Sequence, residues 1–112
     1  MRKIFLTVLV IVSACSTQSD VPEDLIPQDK MVSLLVEFHL LEAKIKKLDI
    51  RPMDSAKVVY SHYENLIFAD FNISVDQYER SFNYYIDNTV QFKDIYDTVV
   101  DTLMQREKLG SD

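Results

Sequence analysis

Residues 31–48 read MVSLLVEFHLLEAKIKKL, and in them Met31, Leu34, Phe38, Leu41, Ile45 and Leu48 recur at alternating steps of three and four. That spacing puts all six on one face of a 3.6-residue period, and Val32 and Leu35 widen the stripe, so the stretch predicts an amphipathic helix. Its flanks agree. Pro27 suits a first turn, Asp29 favours the positive end of the helix dipole, and Lys44, Lys46 and Lys47 crowd the negative end. The helix is expected over residues 28–49.

Toward the C-terminus, Asp49 to Pro52 breaks the pattern, because a residue before proline is pushed out of the helical region. A second helix is predicted over 54–69 with Ala56, Val59, Tyr63, Leu66 and Ile67 as its stripe. Ser74-Val75-Asp76-Gln77 has the Ser-x-x-Gln form of a capping box and opens a third helix over 74–88, with Val75, Tyr78, Phe82 and Tyr85 on one face. A fourth, over 89–109, starts with Thr89 as its cap, aligns Phe92, Tyr96, Val99 and Leu103, and has Gly110, the chain's only glycine, placed like a C-cap. No strand periodicity appears, and a chain with one glycine has none to spend on hairpin turns or nucleotide-binding loops. The fold class is therefore all-α, a small bundle of about four helices in one domain, residues 28–112, with Phe38, Leu41, Tyr63, Phe82 and Tyr96 at its centre.

Toward the N-terminus, Arg2 and Lys3 precede an apolar run from Ile4 to Val12, and small residues Ser13-Ala14 lead to Cys15. The run is shorter than the roughly 20 residues of a spanning helix and has the layout of a cleaved signal peptide, residues 1–14. Val12-Ser13-Ala14-Cys15 resembles the lipobox of bacterial lipoproteins, which implies lipidation at Cys15 and a membrane held through that lipid. Cys15 is the only cysteine, so an exported chain with this sequence spends nothing on disulfides. Residues 15–27 hold Ser, Thr, acids and two prolines, and read as a lipidated tether whose Leu25 and Ile26 are able to dock back on the domain.

The full chain carries −6; losing Arg2 and Lys3 leaves the mature chain near −8. Such a domain repels phosphate backbones and anionic headgroups, so nucleic acid is excluded as a partner and the lipid has to do the anchoring.

Three patches resemble a family of small Bacteroidota lipoproteins classed as a domain of unknown function. They are Glu37-Phe38-His39-Leu40-Leu41-Glu42-Ala43 on the first helix, Tyr78 with Ser81-Phe82-Asn83-Tyr84-Tyr85 on the third, and Ile95-Tyr96-Asp97 with Val99 and Leu103 on the fourth. The resemblance covers about residues 22–106. It implies a helical lipoprotein, marks Glu37, His39, Glu42, Tyr85 and Tyr96 as structural signature residues, and brings no known activity. Where that family's last bend often carries Pro, this chain has Asn88-Thr89.

His39 and Glu42 lie one turn apart with Glu37 nearby, the residue types of a metal site or an acid/base pair. Two ligands do not make a site, and the other histidine, His62, falls on a different helix. A histidine on the shoulder of an apolar stripe more commonly packs and donates to a carboxylate. No nucleophile arrangement is readable, and no cofactor is expected. Tyr84 falls well off the third helix's stripe and is a candidate partner contact, against the bland reading of a lone surface aromatic. The function expected is a non-enzymatic lipoprotein in the outer membrane, facing the periplasm, that presents a helical domain to an unknown envelope protein. The alternatives are a holdase- or foldase-like factor, since Ser74 to Lys108 is loosely similar to the helical arms of periplasmic prolyl isomerases, and a metal or acid/base enzyme using His39 and Glu42.

Overall fold

In the computed structural model, which describes residues 21–110, the 31–48 stripe becomes helix α1, Gln28–Leu48, followed by α2 (Met53–Phe71), α3 (Val75–Asp87) and α4 (Thr89–Gly110). Four helices and no strand make up the described residues, and the protein is a small all-α bundle. The signal stretch, the lipobox and Cys15 lie outside the described residues.

The first three helices each end for a local reason. Asp49 closes α1 in the left-handed region (φ 50°, ψ 48°), and Asn72 closes α2 the same way (φ 56°, ψ 46°). Short polar side chains tolerate that region better than other non-glycine residues, and there each N–H turns back to satisfy an orphan carbonyl. The Asp49 N–H donates to Lys46 at 3.2 Å and the Asn72 N–H to Ala69 at 3.0 Å. The Arg51–Pro52 peptide that leads into α2 is cis. Between α3 and α4 there is one residue, Asn88, whose Nδ2 donates to the Tyr84 carbonyl at 2.6 Å and whose own carbonyl accepts from the Phe92 N–H at 3.0 Å. Asn88 thus ends one helix and starts the next without a proline.

Helix α1 is the centre. It packs against α2 on one side and α4 on another, while α3 packs on α4. The buried core is Ile26, Met31, Leu34, Leu35, Val36, Phe38, Phe68, Ile73, Tyr85, Ile95 and Val99. Val36, 1 % exposed, points about 160° away from Phe38 around the α1 axis, so a stripe-based reading passes over it. A helix covered on two sides buries residues that a one-sided stripe leaves out.

Several expectations are corrected. Phe38 and Leu41 are buried and Phe82 and Tyr96 pack half-buried against the core, but Tyr63 is 49 % exposed and Leu66 46 %. Helix α2 meets only α1 closely, so the Tyr63–Leu66 side of its stripe has no second helix to cover it, and Phe68 is its one buried residue. Asn88 takes the N-cap position expected of Thr89, which is the first residue of α4. Gly110 is helical, with no positive φ, rather than a left-handed cap. The capping box is half formed: Ser74 Oγ accepts from the Gln77 N–H at 3.1 Å, while the Gln77 side chain donates instead to the Asp24 carbonyl at 2.8 Å.

Candidate functional site

Glu37, His39 and Glu42 leave α1 in three directions. Glu37 pairs with Arg106 of α4 at 3.3 Å, and Glu42 pairs along its own helix with Lys46 at 3.5 Å. His39 is exposed, and its ring meets Tyr96 edge-on with centroids 6.5 Å apart. The carboxylate contact expected for His39 is replaced by this aromatic one, because Tyr96 comes up from α4 beside it. His62 lies against Tyr63 of its own helix at 5.3 Å. No group of three His, Cys, Asp or Glu able to hold a metal ion exists among the described residues.

Of the signature residues, His39 and Tyr96 join an aromatic chain that passes through all four helices. Phe38 of α1, Phe68 of α2 and Tyr78 of α3 form an edge-to-face trio with centroids 5.3 to 5.5 Å apart. Tyr78 then stacks on Phe82 at 5.8 Å, Phe82 meets Phe92 of α4 at 6.1 Å, and Phe92 meets Tyr96 at 4.7 Å, which returns to α1 through His39. Edge-to-face and offset pairs of this kind add to area burial because ring edges and faces carry opposite partial charge. Burial pushes the Tyr78 phenol up to about 12. Tyr60 is raised as well, first by burial and then by the carboxylates of Glu64 and Glu42, which disfavour a second negative charge.

Tyr85 and Ser81 have a different task. The Tyr85 phenol donates to the Ile26 carbonyl and the Ser81 hydroxyl accepts from the Ile26 N–H, so α3 holds the strand of chain that precedes α1. Asp24 adds an ion pair to Arg80 that holds its carboxyl below the usual range, chiefly through the hydrogen bond from the guanidinium. The end of the stretch read as tether is thus a strap against α3. Apolar Leu25 and Ile26 between acids and Pro27 were its only sequence signal. Tyr84 is half-buried, edge-on to Tyr85 at 5.5 Å, with its carbonyl capped by Asn88.

Exposed apolar side chains occur along the whole bundle, and on the α1–α2 hairpin they border a groove. Leu41, Ile45, Leu66 and Ile67 line an apolar groove of about 420 Å³, with Glu37, Lys44 and Asp70 at its margins. Leu48 is 67 % exposed, Met53 73 % and Val58 70 %. No described helix is long and apolar enough to cross a membrane. Comparison with curated proteins and with solved structures finds no match. A family model does match, over residues 22–109, which takes in the strap and all but the last residue of the described bundle. That model describes a domain of unknown function, DUF4296, and the chain belongs to this family.

Proposed function

We propose that the protein is a lipid-anchored envelope protein, held through Cys15 in the outer membrane and facing the periplasm, that presents its helical domain to a protein partner and does no chemistry of its own. The observation that carries this reading is the apolar groove of the α1–α2 hairpin, in whose lining Leu48, Tyr63 and Leu66 stay solvent-facing. Exposed apolar residues scattered singly need no explanation, but three that line one apolar groove are what a contact surface looks like. The lipobox-like Val12-Ser13-Ala14-Cys15 supports the anchor. Stable attachment takes two or more acyl chains, since one binds only marginally.

Photo-crosslinking from Leu66 in the intact envelope tests it. One saturable protein adduct is expected. Adducts spread over many unrelated clients would favour a holdase instead, and no adduct from Leu66 or from exposed Met53 at the start of α2 would overturn the reading. For the anchor, Cys15→Ala should block processing; a variant that matured to the same mobility and stayed with membranes after a high-salt wash would refute lipidation.

A further inference from the structure

Charge on this protein is segregated. Residues 44–57, the end of α1 and the start of α2, carry Lys44, Lys46, Lys47, Arg51 and Lys57 against Asp49 and Asp54, while the rest of the chain has seven cations against sixteen acids. Glu42 reaches Lys46 and Asp49 reaches Arg51, which leaves Lys44, Lys47 and Lys57 exposed and with no ion-pair partner among the described residues. Screening in physiological salt acts over about 8 Å, so a partner at this corner meets the local cations and not the net charge. The same corner holds an open depression of about 520 Å³, with Ile45, Ile50, Pro52 and Met53 and the Asp49–Arg51 pair in its lining.

We infer that the α1–α2 corner docks an acidic segment of a partner protein, with an aliphatic side chain of that segment in the Ile45–Met53 depression. The inference rests on the partner-presenting reading and names where and by what chemistry the partner is held. A basic apolar corner also suits an anionic lipid surface, but its position argues against one. The strap that leads toward Cys15 ends at Ile26, two residues before α1 begins, and α1 has 21 residues, so the corner stands about 30 Å away at the far end of the helix. A domain tethered by its strap end presents the corner away from its own membrane.

The test uses the full lipoprotein in its envelope, with a photoreactive benzophenone side chain at Met53 or at Leu66. Met53 is expected to yield an adduct to one protein, through a peptide rich in Asp and Glu. The adduct should fall about tenfold in the triple variant Lys44→Glu, Lys47→Glu, Lys57→Glu, persist when the three are changed to Arg, and weaken as salt is raised. The salt titration makes the same point on the unmutated lysines, so it stands even where the triple variant folds poorly. An adduct from Leu66 with none from Met53 would overturn the corner assignment and keep the partner reading. An adduct from Met53 to lipid, or to a basic peptide, would overturn the acidic partner. No adduct from either position would overturn both readings.

Discussion

The phenol of Tyr85 donates to the carbonyl of Ile26 at 2.6 Å, across 59 residues of sequence, and one turn earlier on the same helix Ser81 accepts from the Ile26 N–H at 3.0 Å. Ile26 is 1 % exposed and belongs to no helix. Its two backbone polar groups must be paired inside the protein, and α3 supplies both partners.

Removing either partner leaves a buried backbone group unsatisfied. Tyr85→Phe and Ser81→Ala are each expected to cost about 1–3 kcal/mol in chemical denaturation, with faster hydrogen exchange at the Ile26 amide. Wild-type exchange at Ile26 in both variants would show that the strap is not held by these bonds.

Phe38 meets Phe68 and Tyr78 in the core, whereas Tyr63 is 49 % exposed. Phe38→Ala should cost about 3–5 kcal/mol, and Tyr63→Ala about 1 kcal/mol or less. Equal losses of thermal stability would mean that α2 is covered on the side that faces solvent here.

Alkali should unfold the protein through its tyrosines. The Tyr78 phenol is pushed up to about 12 by burial, and Tyr85 is raised for the same first reason. The unfolded chain releases these protons near pH 10 while the folded chain keeps them, so ∂ΔG/∂pH is negative there. The contribution is full below pH 10 and is lost as pH rises toward 12. A Tyr78→Phe variant should show a shallower fall in stability over that window; an unchanged slope in denaturant titrations would refute the assignment.

Asn72 holds φ at 56° between α2 and α3. Asn72→Gly should be neutral or stabilising by up to about 1 kcal/mol, and Asn72→Val destabilising by about 1–2 kcal/mol, because a β-branched side chain resists the left-handed region. Thermal unfolding of the pair checks the sign.

His39 is exposed against the edge of Tyr96. His39→Gln is expected to move stability by about 1 kcal/mol or less. Purified protein should carry no stoichiometric metal by elemental analysis. Bound metal that disappeared in His39→Gln and Glu42→Gln without any shift in unfolding would instead support an enzyme.

Helix existence was legible because Met31, Leu34, Phe38 and Leu41 repeat at a period that only a helix satisfies, and because Pro52, Ser74 and Asn88 interrupt that repeat. The boundaries follow within about two residues. Face assignment was harder. Leu66 and Tyr63 share the apolar pattern of α2 with Phe68, and only the approach of Phe38 from α1 and Tyr78 from α3 decides that Phe68 is covered and the others are not. The signature on α1 was legible as a cluster by spacing, yet Glu37, His39 and Glu42 take partners from two different helices, which one helix's periodicity does not encode.

By itself the sequence determined the local physics: four amphipathic segments, a Ser74 cap, a charge-matched α1, and a basic stretch between Lys44 and Lys57 in an acidic chain. Tertiary structure alone decided which apolar faces stay open and which residues reach the strap. Ile26 with Tyr85 and Glu37 with Arg106 are 59 and 69 positions apart, and such contacts depend on how the helices stack. Helical period fixes the direction of a side chain around its own axis, but burial depends on what another helix places in front of it.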